Sequence, residues 1–418
     1  MGFRAAIVGC GAQGRVISTF FARDSTFSEI GLFDIKPEVC RAHVDALSNI
    51  DAKGNKVVEV AALNAGDSDD VARRLNGYDV LINAVIPRFN LDLMKASLKA
   101  GLHYVDMAFG PPYNNLGRQL KLSEGFRRTG LIGLIGAGKS PGLTNLLVAE
   151  AAELLDKVVS VKIRMGGNIE SSQPVMTWSP KTLLEDCSIP PAYISGGRLL
   201  HAAPFSGEEE YLFPEPIGTR RVWLHEHEEA YMFNLSLKKK GLKRFDLKMG
   251  GLENIKALYD LGLIKQWDGG GSKRANPIEV IASLLPQPPT QEELLAMIRK
   301  GVIKGSCGVS VVEVEGEKAG SEAKVKLWVN DPNILDVVKS YPMATDDSYV
   351  VGLTCSVLAK TVLTHERTLR GGVYLPEALP SDLRRGVFNA LSQQNPPILV
   401  NGRFEGSVRL AAQSATTP

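Results

Sequence analysis

The hexapeptide Gly9-Cys10-Gly11-Ala12-Gln13-Gly14 constrains this chain more than any other feature. It follows the apolar stretch Ala5–Val8 and opens a helical pattern from Ala12 to Arg23. A G-x-G-x-x-G in that strand–turn–helix setting is the fingerprint of dinucleotide binding. Gly9 makes the tight turn, Gly11 lets a pyrophosphate approach the backbone, and Gly14 lets helix and strand pack closely. The helix start at Ala12 and Gln13 presents unpaired N–H groups and the positive end of the helix dipole to the phosphates. Asp34 closes the next strand pattern, Ile30–Phe33. An acid there accepts hydrogen bonds from ribose hydroxyls and repels a 2′-phosphate, which points to NAD. Lys36, two residues on, softens that preference and keeps NADP open.

The strand–helix alternation continues. Strands are predicted at Lys56–Val60, Val80–Val85, His103–Met107 and Leu131–Ile135. Helices are predicted at Pro37–Ser48, Ser68–Leu75 (capped by Ser68), Asn90–Ala100 and Leu116–Arg128. That order implies an α/β fold, a Rossmann doubly wound parallel sheet over residues 1–135. Asn83 and Ala84 end its fourth strand, where the chain lines the cofactor. After about Leu155 the pattern changes. Strands are predicted at Val158–Met165, Val222–His225, Ala230–Leu237, Val309–Val314 and Lys324–Val329. Helices are predicted at Leu252–Leu261, Pro277–Leu284 and Thr290–Lys300, with a loop at Trp267–Lys273. Residues 136–343 thus read as a second, α+β domain. A helix at Ser348–Leu363, followed by Gly-Gly-Val-Tyr, returns to the first domain, so that residues 344–410 complete it.

Composition adds exclusions. A formal net charge of +2 over 418 residues calls for neither a nucleic acid nor a membrane surface. Without an apolar run of about 18 residues, no transmembrane helix is expected. Cysteines 10, 40, 187, 307 and 355 are scattered and form no C-x-x-C, so they read as reduced thiols of a cytoplasmic protein with no cleavable leader. Residues Gly133–Ser140 match a Walker A pattern letter for letter. The match reads as a decoy, because Gly133 lies inside the apolar strand pattern and a phosphate loop already exists at the first strand. The alternatives for this loop are a helix cap, with Ser140 before Pro141, or a segment facing the nicotinamide at a strand's carboxyl end.

Motifs in the order GCGAQG, LINAVIP (81–87), AGLHYVDMA (100–108), GAGKSPGLTN (136–145), MTWSPKTLLED (176–186), FPEPIGTRRVWLHEHEE (213–229) and GGVYLPEAL (371–379) make the whole chain resemble the saccharopine dehydrogenase-like family of NAD(P)-dependent oxidoreductases. The resemblance implies hydride transfer at a carbon–nitrogen bond of an amino acid or its conjugate. It also implies a middle domain that binds substrate and forms a homodimer. Saccharopine reductases of this family carry Gly-Leu-Asp-Pro-Gly where this chain has Gly138-Lys139-Ser140-Pro141-Gly142, so Ser140 replaces an acid. With Asp34, this points toward a lysine 6-dehydrogenase-like branch.

The candidate catalytic residues are Lys139, Ser140 and Asp106. Lys139 would exchange a proton with the reacting nitrogen if burial lowered its pKa. Trp178 would wall the substrate pocket, and Arg198 and Arg244 (with Arg220 and Arg221 as further choices) would clamp substrate carboxylates. His225 would face the substrate from a strand-like His-x-His, which lacks the further ligands a metal would need. Two other functions stay open: a non-catalytic dinucleotide-binding scaffold, and a reductase of a non-amino-acid substrate on the same fold.

Overall fold

A computed structural model describes residues 2–50, 56–110, 115–265 and 276–406. The predicted loop at Trp267–Lys273 lies outside the described residues. Strands β1 (Phe3–Val8), β2 (Phe27–Asp34), β3 (Val57–Ala62), β4 (Val80–Asn83), β5 (His103–Asp106) and β6 (Ile132–Leu134) form a parallel sheet in the order β6-β5-β4-β1-β2-β3. A seventh strand, Gly372–Tyr374, adds parallel to the free edge of β6. Parallel strands need crossovers, and the helices Ala12–Arg23, Pro37–Ile50, Ser68–Arg74 and Asn90–Ala100 supply them. Gly101, at φ +75°, ends the last of these in the left-handed conformation.

The second sheet is mixed. Its main path runs β10 (Glu209–Leu212), β11 (Thr219–Leu224), β12 (Arg244–Gly250), β7 (Lys157–Ser171), β13 (Ile303–Lys318), β14 (Ser321–Asp331) and a last strand, Val400–Gly406. The hairpin β8 (Ala192–Ser195) and β9 (Arg198–His201) attaches to β12. Side chains alternate across this sheet as strand geometry requires. Val312 and Val314 join the large core under the helix Leu143–Glu153, while Val309 and Val311 pack on the other face with Tyr211, Phe213 and Val222. That core runs on into the first sheet through Ile7, Val105 and Leu134. The helix Asp346–Thr364 binds the two together. A Cβ on its Gly352 would lie 2.7 Å from Val16 Cβ, so only glycine lets it lie this close to the helix Ala12–Arg23.

Several expectations need correction. Residues 230–237 are not a strand: Glu229–Ser236 is a helix, because Ala, Met and Leu favour helix and it buries Ala230 and Phe233 in the large core and Met232 in a second cluster with Ile135. The stretch Leu116–Arg128 is two helices, Asn115–Leu120 and Ser123–Thr129. Asp67, not Ser68, caps the third helix, accepting the Asp70 N–H. Segment 344–410 divides between the sheets, since Val400–Gly406 pairs with β14 rather than returning to the first. Cys10 and Cys40 form a disulfide across 30 residues of sequence, with Cα atoms 5.5 Å apart, in place of two free thiols.

Candidate active site

The glycine loop has the shape its residues require. Gly9 sits at φ +105° and its N–H donates to Phe33 O at 2.7 Å. A Cβ on Gly14 would fall 1.9 Å from Gly9 O, whereas a Cβ on Gly11 would meet nothing within 4 Å. One glycine therefore closes the turn and the other leaves space above it. No side chain caps the helix at Gly11, so the first N–H groups, at Ala12 and Gln13, stay available to an anion. Ala84 O lies against Gly9 from the end of β4. The Asp34 carboxylate accepts the N–H of Cys10 and that of Lys36, both at 2.9 Å, which holds the acid at the loop; the Lys36 side chain is exposed. The buried Gln13 Oε1 has no partner among the described residues. An open cradle, free N–H donors and an anchored carboxylate fit an NAD(P) dinucleotide. Asn83 keeps its side chain inside the sheet end, where its side-chain carbonyl accepts the Val85 N–H at 3.1 Å. Its amide donates to Asn90 Oδ1 and to Tyr104 Oη, both at 2.9 Å.

The loop after β6 stands at the carboxyl ends of the strands beside β4 and β5, where an open α/β sheet places its ligands. Asp106 anchors it. The carboxylate accepts the Gly136 N–H (2.8 Å), the Tyr104 hydroxyl (2.9 Å) and the Gln119 amide (2.7 Å). Asp106 is 1 % exposed, and burial pushes it up to about 7. These three bonds give it the work of a loop anchor, the other role its place at the end of β5 allows. Ser140 is not a helix cap. The helix begins at Leu143 after Gly142, whose φ of +128° and N–H bond to Asn145 Oδ1 (2.9 Å) set its start. Gly133 lies within β6, so residues 133–140 form no phosphate loop.

Lys139 is buried, but not as a neutral base. Its Nζ is 2.6 Å from Asp331 and 3.3 Å from Asp347. Burial works against the charge; the carboxylates outweigh it and hold the ammonium above its ordinary range. Burial in turn pushes Asp331 up to about 6, with Lys139 pulling the other way.

Ser140 leads to a cluster the sequence reading overlooked. Its hydroxyl donates to Glu229 Oε1, which also accepts the Thr144 hydroxyl at 2.7 Å. The other oxygen of Glu229 accepts His227 Nδ1–H at 2.9 Å, and Glu228 stands 3.2 Å from the same nitrogen. Glu228 also accepts the Gly110 N–H. Glu226 accepts the Ala192 N–H and the Tyr231 hydroxyl. Asp186, ending the helix Pro180–Asp186, belongs to the same field of charge. Burial pushes Asp186 and Glu226 each up to about 7, and Glu228 adds to both. Glu229 is also fully buried, yet His227 keeps it below the usual carboxylate range. The donor atoms of His227, Glu228 and Glu229 are close enough to hold a metal, but the imidazole Nδ1 is already taken by the carboxylates, which makes the trio an ion-paired group.

The remaining candidates scatter. His225 lines a small pocket with Asp186, Phe205 and Glu226, and burial pushes it down to about 3, so it is neutral. It follows the end of β11, so the expected strand-like His-x-His is a loop. Trp178 is half-buried just before the helix cap Ser179. Arg198 is exposed on β9, and Arg244 is exposed and pairs with Glu315 at 3.8 Å on the outer face of the second sheet. Arg220 and Arg221 are exposed as well. The structure does not bring these arginines to the cluster. The density of acids in His-Glu-His-Glu-Glu was the signal that could have found Glu226, Glu228 and Glu229.

Comparison with known proteins agrees with this geometry. Residues 5–134 match the model of the saccharopine dehydrogenase NADP binding domain, and residues 138–394 match that of the saccharopine dehydrogenase C-terminal domain. A carboxyaminopropylagmatine dehydrogenase of Synechocystis is 26% identical over 305 residues, covering 69% of this chain and 74% of that one. A carboxynorspermidine synthase of Vibrio alginolyticus is 23% identical over 351 residues, covering 77% and 80%. In fold, the chain is similar to the apo saccharopine dehydrogenase (L-Glu forming) of Saccharomyces cerevisiae, with TM-score 0.66 and 15% identity over 97% of this chain and 100% of that one. It is also similar to the homospermidine synthase of Legionella pneumophila in complex with NAD, with TM-score 0.67 and 15% identity over 100% and 95%. With both family models matched in order along a Rossmann sheet and its companion, this chain belongs to the saccharopine dehydrogenase family of NAD(P)-dependent oxidoreductases.

Proposed function

We propose that the enzyme transfers hydride at a C–N bond of a carboxylated polyamine or a related amino-acid conjugate. One observation carries this reading: Asp186, Glu226, Glu228 and Glu229 converge beside Ser140, next to the strand ends where the nicotinamide belongs. A field of buried and half-buried carboxylates suits a ligand with several ammonium groups. It is a poor site for an apolar substrate, because desolvated carboxylates need partners. The names of the carboxyaminopropylagmatine and carboxynorspermidine relatives describe carboxyl-bearing amines, in keeping with this charge. The lysine 6-dehydrogenase-like branch is the second reading. The Asp34 carboxylate held at the glycine loop favours it by favouring NAD. The homodimer implied by the family belongs to the same proposal, and light scattering on the purified protein tests it.

The deciding experiment follows the appearance of reduced cofactor with NAD and with NADP, against carboxynorspermidine, norspermidine, saccharopine and L-lysine. Turnover of carboxynorspermidine above the others is expected. Turnover of lysine alone would select the second reading, and a protein that binds NADH yet turns over none of the four would refute both.

A further inference from the structure

The acidic cluster is ordered from buried to open. Glu229 lies at its closed end with no exposed surface, tied to Ser140 and Thr144 on the loop side and to His227 on the other. His227 keeps 18% of its side chain open, and both of its ion-pair contacts run through Nδ1. The far edge of the ring is therefore the part that can meet a ligand. The residues the sequence offered for moving a proton are committed elsewhere: Lys139 to Asp331 and Asp347, Asp106 to three donors under the loop, and His225 to a buried, uncharged state.

We infer that His227 exchanges the proton of the reacting nitrogen, with Glu229 as its positioning residue and Ser140 and Thr144 fixing Glu229 from the catalytic loop. The inference rests on the C–N reading above and adds a mechanism to it. In reduction, hydride adds to the imine carbon, the C=N π pair moves to nitrogen, and nitrogen takes the imidazolium proton of His227. In oxidation, the amine nitrogen gives that proton to the neutral imidazole as hydride leaves its carbon. The family's dinucleotide supplies or accepts the hydride. Ser140, at the place where saccharopine reductases carry an acid, here works through the carboxylate of Glu229.

The groups facing His227 are Glu228 and Glu229 beside it, Glu226 and His225 on the same loop, and Asp186 from the helix Pro180–Asp186. The His225 and His227 rings are 6.1 Å apart. Burial opposes a charge on His227; Glu229 first and then Glu228 outweigh it and hold the ring above its usual range. Removing the Glu229 charge should therefore release the proton earlier, by roughly one to three pH units, the range for a close opposite charge.

The test has two arms. NMR titration of the six histidines in the full chain, assigned with His227→Gln, compares wild type with Glu229→Gln. His227 is expected to titrate at lower pH in Glu229→Gln, and the carboxylate-restoring Glu229→Asp is expected to recover part of the shift. With carboxynorspermidine as probe substrate, His227→Gln should lower kcat about a hundredfold, the scale of a lost acid–base group. Glu229→Gln should move the pH profile of kcat in step with the NMR value while KM changes little. NADH affinity by fluorescence should stay unchanged in both variants. His227 titrating identically in wild type and Glu229→Gln would overturn the inference, as would His227→Gln retaining wild-type kcat. A wild type inert toward the probe while Glu229→Gln still releases His227 would count against the substrate reading and for the pairing.

Discussion

Lys139→Met replaces a cation that joins three distant segments: the loop after β6, the end of β14 and the start of the helix Asp346–Thr364. Methionine keeps most of the volume and removes the charge. The Lys139 and Asp331 side chains are 7% and 5% exposed, so water screens neither; Asp347, at 45%, adds little. The second Asp331 oxygen has no partner among the described residues, so no other contact takes over. Breaking a buried pair by deleting one partner costs about 3–5 kcal/mol. A chain of this length unfolds with an entropy of about 0.9 kcal/mol/K, so the melting midpoint should fall by about 3–6 °C. The loss should also depend on pH. Burial raises Asp331 to about 6 against an unfolded value near 3.9. The folded state thus holds this proton more tightly, and the stability it contributes is complete below about pH 4 and lost as pH rises through about 6. Without Lys139 the folded value climbs further, so the loss extends to higher pH. The gap between wild type and variant should then widen above about pH 6, by up to ~1.4 kcal/mol per pH unit. Circular dichroism melts from pH 5 to 8 measure it. A gap independent of pH would refute this reasoning. So would a variant that melts like wild type yet loses turnover, which would return Lys139 to the acid–base role expected from sequence.

Asp34→Ala should raise the NADP-to-NAD ratio of kcat/KM by about tenfold or more, since the carboxylate no longer repels a 2′-phosphate; wild type binding NADP the tighter by calorimetry would contradict it. Gly11→Val should melt like wild type, because its Cβ meets nothing within 4 Å, yet lose NADH binding by fluorescence. Gly14→Ala forces a Cβ to within 1.9 Å of Gly9 O and should lose both stability and binding; an intact melt would place the tight turn elsewhere. Asp106→Asn sets an amide N–H among the Gly136, Tyr104 and Gln119 donors and should cost about 1–3 kcal/mol. Because burial raises Asp106 to about 7, its contribution is complete below about pH 4 and lost as pH rises through about 7. Melts of wild type should therefore fall across that window and those of Asp106→Asn should flatten; parallel curves would argue against the assignment.

Where local chemistry decides structure, the sequence could be read closely. The helices Ala12–Arg23 and Asn90–Ala100 fall where the glycine loop and Gly101 punctuate the chain. The glycine loop was legible because three glycines serve three separate steric needs within six residues. Residues 230–237 misled because Phe233, Leu235 and Leu237 alternate with Asn234 and Ser236, while helix propensity and the packing of Ala230 and Phe233 prevail. Ser140-Pro141 has the form of a helix start, but the turn at Gly142 delays the helix to Leu143. Lys139 was read alone, whereas its state is set by Asp331 and Asp347, some 200 residues away along the chain. The acidic cluster was the least legible part. Ser140, Asp186 and Glu226–Glu229 come from three segments that only the packing of the second sheet against the loop brings together. Two cysteines 30 residues apart likewise carry no spacing signal for their pairing.

The strand Gly372–Tyr374 has a consequence for how the chain is made. A ribosome releases β1–β6 first, then roughly 240 residues of the companion sheet and its helices, and only then the strand that closes the edge of β6. At ~5–20 residues per second, that interval is on the order of ten to fifty seconds. During it, three-residue β6 has a bare edge, and the helix Asp346–Thr364 has not yet arrived to cover Val16 and its neighbours. The nucleotide-binding unit is thus the first to be synthesised, yet its sheet waits for Gly372–Tyr374, by which point only Val400–Gly406 of the second sheet is still to come. Its contacts with residues 346–374 span most of the chain, the kind of non-local pairing that slows folding. An N-terminal fragment ending near residue 135 would carry every glycine of the fingerprint and still lack the strand and helix that complete its sheet and core.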